Sequence, residues 1–150
     1  MTITTVCAAI ASIGQSITGI TGAFDPPPPS IETAELPALY VLTSQAVDDT
    51  EILGDNFVLE TRQYRVQVAV SMREQSTPEQ IEGKTRTILS AVKLAFHSRP
   101  SLGGISTVQG ARVTGDSGIV NLTEYNGAFI GFEVRLEVQE YIPRTFASGE

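Results

Sequence analysis

Four consecutive prolines at residues 26–29, within the stretch AFDPPPPS, constrain this chain more than any other feature. Proline fixes φ at about −65° and has no backbone N–H, so the run cannot lie inside a helix or in a central strand. Each proline also pushes the preceding residue toward extended geometry. The run therefore predicts a short, stiff polyproline II connector of roughly 3 Å per residue. It either holds the preceding segment at a fixed distance, or forms a rigid turn over the chain's own core.

The segment before the prolines has apolar residues at alternating spacings of three and four. They are Ile3, Val6, Ile10, Ile13, Ile17, Ile20 and Phe24. This spacing is typical of one helix face and predicts a helix within residues 1–25. The opposite face carries no charge before Asp25. The stripe that contains Ile10, Ile13 and Ile17 therefore either packs into the chain's own core or docks on a neighbouring subunit.

Two strands are predicted after the connector, with an acidic loop between them. The run ALYVLTSQ indicates the first strand. The loop that follows has four carboxylates, which are Asp48, Asp49, Glu51 and Asp55. Such a loop is typically mobile, and we expect it to contact a neighbouring subunit or another protein. The second strand alternates strictly and places one set of side chains on a single face: Tyr64, Val66, Val68, Val70 and Met72.

The best-marked helix begins after Thr77. Pro78 occupies the first helical position, and Gln80 completes a capping box with Thr77. The sequence SRPSLGG ends this helix. Three further strands are predicted at residues 106–113, 119–124 and 128–142, and we interpret GDSG and YNG as the hairpin turns between them. The last of these strands alternates, with apolar side chains on one face and Glu133, Arg135, Glu137 and Gln139 on the other.

These elements predict an α+β fold, in which the capped helix packs on one face of an antiparallel or mixed sheet. An N-terminal helix and a polyproline connector precede this layer. The predicted organisation is a helix at residues 1–25, a connector at 26–35 and an α+β domain at 36–150.

Composition and motifs exclude several classes of function. The net charge is −7, and the ten Lys and Arg residues are scattered, which argues against a protein that grips nucleic acid. GDSG matches the residues around the nucleophile of trypsin-like proteases, but the one histidine, His97, lacks the flanking residues of that family. One cysteine and one histidine supply too few ligands for zinc. We therefore predict no enzymatic activity and no catalytic, metal or cofactor-binding residues. The single cysteine, Cys7, fits a reducing compartment, and no apolar run is long enough to span a membrane.

The element order and the closing strand carry a resemblance to a known family. The strand YRVQVAVSMRE, the helix STPEQIEGKTRTILSAVKLAF and the closing segment YNGAFIGFEVRLEV resemble tail-terminator proteins of long-tailed bacteriophages, the lambda-type minor tail protein U group. The resemblance covers roughly residues 36–142.

The resemblance implies a structural virion protein, located in the tail or neck and assembled in the host cytoplasm. Such subunits form a ring, typically a hexamer, that caps the tail tube and joins it to the head connector. The implied partners are other copies of the chain, the tail tube protein and a head–tail connector protein, while genomic DNA passes through the lumen without specific binding.

Two alternatives stay open at this level. The first alternative is a head–tail connector, stopper or other neck protein. The second, more remote alternative is a small-molecule-binding α+β domain. An enzyme that uses a carboxylate alone is a third and weaker rival.

Overall fold

The computed structural model describes residues 2–49, 57–75 and 77–143, which form two α-helices, six strands and three short 3-10 helices. In chain order the α-helices and strands are α1 (Thr2–Gln15), β1 (Gly22–Phe24), β2 (Ala38–Asp49), β3 (Phe57–Met72), α2 (Pro78–His97), β4 (Val108–Asp116), β5 (Val120–Asn121) and β6 (Phe129–Pro143). The strands lie in the order β1-β2-β3-β6-β4, and β5 pairs with β6. Only β1 and β2 run parallel among the described pairs, so the sheet is mixed and the predicted α+β class is confirmed.

The pairing of β3 with β6 forms the centre of the sheet. It extends from Phe57 opposite Pro143 to Met72 opposite Phe129. Alternate side chains of the two strands are fully buried on one face: Tyr64, Val66, Val68, Phe132, Val134 and Leu136. Alternation in the sequence predicted both strands, because side chains of a strand point to opposite faces in turn.

Both helices pack on this same face. α1 lies against β1 and β2, and α2 lies against β3, β4 and β6. The predicted capping box of α2 is present, because Thr77 Oγ1 accepts from the Gln80 N–H and Gln80 Oε1 accepts from the Thr77 N–H, each at 3.3 Å. Ile88, Val92 and Phe96 of α2 are buried against the sheet.

The predicted length of the first helix is wrong. α1 ends at Gln15, and residues 22–24 form β1 instead. Gln15 Oε1 accepts from the Ala23 N–H at 3.1 Å, so this side chain ties the end of the helix to the strand. Gly19 has φ of +100°, which glycine adopts readily and which reverses the chain here. Ile17 is buried although it lies beyond the helix, which explains why the spacing continues after the helix ends.

The proline run lies over the opposite face of the sheet. The Tyr125 hydroxyl donates to the Pro28 carbonyl, and Ile31 after the run is buried. A second, smaller core lies here. In it the rings of Tyr40 and Tyr125 pack edge-to-face, with their centroids 5.7 Å apart. The segment therefore covers the chain's own core, as the second interpretation predicted. A connector that extends α1 away from the sheet is wrong, because α1 shares the main core with the central strands.

A β-bulge in β3 corrects the predicted position of Met72. The register shifts between Ala69, which lies opposite Gly131, and Ser71, which lies opposite Ile130. The extra residue, Val70, moves Met72 from the helix-covered face to the smaller core on the opposite face. The alternating pattern does not show this change, because the bulge depends on pairing with β6.

The predicted three-stranded meander is also wrong. β4 and β5 both pair with β6 on the side away from β3, so they form one interrupted outer strand. The GDSG residues interrupt this strand instead of reversing it. The Ser117 N–H donates to the Glu133 carbonyl, and Ser117 Oγ accepts from the Glu133 N–H, both at 2.9 Å. YNG does connect β5 to β6, with Tyr125 and Asn126 in left-handed conformations.

The close approach of β3 to Gly131 gives a first prediction. A Cβ at residue 131 would overlap the Val68 carbonyl oxygen, which is part of the central pairing. We expect Gly131→Ala to lower the free energy of unfolding by about 3 kcal/mol or more, since overpacking and backbone displacement cost that much. Gly83→Ala, in α2 where nothing lies within 4 Å of the added Cβ, should instead raise it by about 1 kcal/mol. Chemical denaturation of both variants measures the two changes, and equal effects would contradict the described register.

Candidate functional site

The three isoleucines predicted at a subunit interface lie inside the chain. Ile10, Ile13 and Ile17 have relative exposures of 0%, 7% and 7% and belong to the main core. Their assignment to an interface is therefore corrected, because α1 packs this stripe on its own sheet. The outer face of α1 remains exposed at residues such as Ala8 and Ser12, and it carries no charge.

The acidic segment begins in a strand and not in a loop. Asp48 and Asp49 are the last two residues of β2, so their assignment to a loop is wrong. Asp48 is exposed. Glu51 and Asp55 lie outside the described residues.

Asp48 belongs to a row of three carboxylates that crosses the sheet. It lies opposite Glu60 on β3, and Glu60 lies opposite Glu140 on β6. Residues paired in this way share one face of the sheet. Glu60 and Glu140 are buried, and Arg62 donates to Glu60 Oε1 at 2.9 Å and to the Ser44 carbonyl at 2.9 Å. The arginine therefore neutralises one side of the row and ties β3 to β2.

Glu140 is the least solvated carboxylate of this row. Burial raises the pKa of Glu140; a hydrogen bond from Thr107 at 3.0 Å opposes this shift, and the charge of Glu60 adds to it. The nearby Tyr64 hydroxyl is buried, and no described residue hydrogen-bonds to it. Within the described part of the chain, no three His, Cys, Asp or Glu side chains are grouped so as to hold a metal ion.

The opposite face of the sheet carries a hydrogen-bonded network centred on Glu133. Arg65 Nε donates to Glu133 Oε1 at 2.7 Å, and Gln67 Nε2 donates to the same oxygen at 2.9 Å. The Tyr40 hydroxyl donates to Gln67 Oε1 at 2.8 Å, which fixes the orientation of the amide. Arg135 lies 3.6 Å from the other carboxylate oxygen.

These contacts set the charge of Glu133. Burial alone would raise the pKa of Glu133, but hydrogen bonds from Gln67 and Arg65, with the charges of Arg65 and Arg135, lower it below the usual range. A neighbouring link repeats the arrangement, since Gln63 and Arg112 both donate to Glu137 at 3.1 Å. Basic and acidic groups on this face thus neutralise one another.

The GDSG residues have structural contacts. Ser117 bridges the outer strand to β6 and donates to the Gly118 carbonyl at 2.8 Å. Asp116 accepts from Lys93 of α2 and from the Gly118 N–H, each at 2.9 Å, and these bonds lower the pKa of Asp116. The motif therefore fastens α2 to the sheet edge. His97 is the last residue of α2, a position where a basic side chain interacts favourably with the helix dipole. Cys7 is buried, with its sulfur 3.9 Å from Thr43 Oγ1.

The sequence did not reveal the row of carboxylates or the network around Glu133. Alternation placed Glu133, Arg135 and Glu137 on one face of the last strand, which was a usable signal. Their partners on β3 and β4 follow only from the register between strands, which the sequence does not encode locally.

No family model matches the chain, and no curated protein matches it significantly. In the described part of the chain, neither helix is long and apolar enough to cross a membrane.

The half-buried Glu133 and the buried Glu140 should respond to pH in opposite directions. The lowered pKa of Glu133 means that its contribution is present above the ordinary glutamate pKa and is lost as pH falls through the folded-state pKa. We expect Glu133→Gln to lower the free energy of unfolding at pH 7 by about 2 kcal/mol, the typical contribution of hydrogen bonds to a charged group. The difference from wild type should shrink on acidification.

Glu140→Gln is the variant to compare with Glu133→Gln, because it makes the same substitution at a glutamate whose pKa is shifted in the opposite direction. The raised pKa of Glu140 means that its contribution is full below the ordinary glutamate pKa and is lost as pH rises through the folded-state pKa. This variant should be more stable than wild type at pH 7, with a gap that closes as pH falls. Urea denaturation over about pH 2 to 8 measures both changes, because the Glu133 contribution is lost only below the ordinary glutamate pKa of about 4.3. Parallel pH profiles for the two variants would contradict the described environments.

Proposed function

We propose that the chain is a structural subunit of a long-tailed bacteriophage particle. In this proposal it is a tail terminator whose copies form a ring, the hexamer that the resemblance implies, at the head-proximal end of the tail tube. The ring ends tube growth and presents a docking surface to the head connector. The subunit is made in the host cytoplasm and becomes part of the tail or neck of the virion.

The observation that carries the proposal is the arrangement of sheet edges. Both helices cover one face, and β2 and β4 lie on opposite sides of the same sheet. β3 pairs with the inner side of β2, and β1 covers its outer edge only at residues 38–40, so the rest of that outer edge has no described strand beside it. Unpaired strand edges present N–H and C=O groups to other chains. Two different edges on opposite sides favour head-to-tail association, which closes into a ring when the rotation fits.

The charges of the chain fit a passage for DNA. The net charge is −7, and three arginines on the sheet face opposite the helices, Arg65, Arg112 and Arg135, are each paired with a carboxylate. Paired arginines are less available to phosphate groups. DNA can therefore move past such a surface without being held by it.

A head–tail connector or stopper is the alternative function. The same ring would serve it, and the difference lies in the partner that the ring binds. A terminator binds the end of the tail tube and sets tail length, whereas a connector binds the head portal.

Microscopy and mass measurement test this proposal. We expect negative-stain images of the purified protein, alone or with tail tubes, to show rings, with a native mass of a hexamer of the 16.1 kDa chain. Added to polymerising tube protein, the chain should cap the tubes and stop growth. Rings that bind head portals but leave tube growth unchanged would favour the connector. A chain that stays monomeric both alone and with tubes would overturn the proposal.

A further inference from the structure

The two free edges occupy the same level of the sheet. Val41 of β2 lies opposite Val66 of β3, and Val66 lies opposite Val134 of β6. Val134 in turn lies opposite Asp116, the last residue of β4. At the other end of these strands, Asp48 lies opposite Glu60, and Glu60 lies opposite Glu140. Glu140 in turn lies opposite Val108, the first residue of β4. The free stretch of β2 and the whole of β4 therefore have matching lengths and positions.

The strand directions also suit a continuing sheet. β2 runs antiparallel to β3, β3 to β6, and β6 to β4, so β2 and β4 point in opposite directions. If β4 of one copy lies beside β2 of the next, the new pair is antiparallel without any rotation in the plane of the sheet.

An exposed apolar side chain lies on the β2 edge. Val47 has a relative exposure of 71%, the largest among the exposed large hydrophobic residues of the described chain. Val47 lies opposite Thr61, Thr61 lies opposite Gln139, and Gln139 lies opposite Gly110 of β4. Val47 and Gly110 therefore end the same row, on the same face, at opposite edges.

A recess lies at the Gly110 end of this row. It has a volume of about 120 Å³ and is lined by Pro100, Gly110, Ala111, Arg112, Glu137 and Gln139. Apart from Gly110 and its two chain neighbours, no described residue has an atom within 4 Å of the position that a Cβ on Gly110 would take. The missing side chain leaves room beside the strand for a side chain from another molecule.

Bulges make the edges selective. The register shifts between Thr43 and Ala46 in β2, and at both ends of the stretch from Gly110 to Val113 in β4. Such bulges normally protect edge strands from indiscriminate pairing. A partner must therefore match in shape, and an apolar side chain opposite an apolar recess supplies that match. An exposed apolar residue that fits a recess elsewhere on the same molecule produces head-to-tail contacts.

We infer that the partner of each free edge is a second copy of this chain: residues 41–49 of one copy pair with β4 of the next, and Val47 enters the recess at Gly110. This inference rests on the proposed ring and identifies the surfaces that form it.

Engineered disulfides test the contact directly. Val47 and Gly110 of one chain are three strands apart, about 14 Å, which is too far for an internal disulfide. In the proposed contact they are neighbours on adjacent strands, within disulfide reach. The double variant Val47→Cys with Gly110→Cys should therefore give, under mild oxidation, a ladder of covalent oligomers larger than a dimer.

The controls use the same chemistry at positions that the contact does not join. Val47→Cys alone should give no species beyond a dimer, because the natural cysteine, Cys7, is buried. Leu94→Cys with Gly110→Cys should give no ladder, although Leu94 is also exposed, at 67%. Absence of a ladder in the Val47/Gly110 variant, or an equal ladder in the Leu94/Gly110 control, would overturn the inference.

A substitution without cysteine gives an independent measurement. Val47→Asp should raise the concentration at which oligomers dissociate by about tenfold or more, while Leu94→Asp should not. Analytical ultracentrifugation of both variants reports this change, and equal values would overturn the inference.

The outcomes separate this inference from the proposed function. Rings in micrographs without the ladder would show that other surfaces join the copies, so the edge contact would be wrong and the terminator proposal would stand. A ladder without rings or tube capping would leave the edge contact in place and contradict the terminator function.

Discussion

The pairing of β3 with β6 is the interaction on which the rest of the structure depends. It runs the full length of both strands and buries alternate side chains beneath the two helices. The same register brings Arg65 and Gln67 onto Glu133 on the opposite face, and it brings Glu60 beside Glu140. β2 lies on one side of this pair and β4 on the other. The β3–β6 pairing therefore also sets the distance between the two outer edges and their relative position along the strands.

Local signals in the sequence predicted much of the fold. The alternation in β3 and β6 and the capping box at Thr77 depend on residues close together in the chain, so they remain readable without the structure. The same alternation identified the charged face of β6. Of the residues predicted at an interface, Asp48 is exposed, whereas the isoleucines form the core; a spacing of three and four shows that a helix has an apolar face, but not which surface covers it.

The remaining errors share one physical origin, since each depends on contacts between distant segments. Ile17 stays buried after α1 has ended, so the apolar spacing outlasts the helix. Met72 changes face because β3 carries an extra residue relative to β6. Ser117 resembles a turn residue in the sequence, yet its hydroxyl accepts a bond from the Glu133 N–H and lets the outer strand continue. None of these contacts can be predicted from a pattern of residues that are close together in the sequence.

The short strand β1 has a consequence for the geometry of the proposed assembly. It occupies the edge of β2 at residues 38–40 and therefore limits how far a neighbouring strand can slide along that edge. Repeated head-to-tail contacts close when each step adds rotation without translation along the axis, and they form a helical filament when each step also climbs. In the proposed assembly, β1 would therefore stop a neighbouring strand from sliding toward that end of β2. It would help to keep the copies in one plane, so that the repeated contact adds rotation without a climb along the axis.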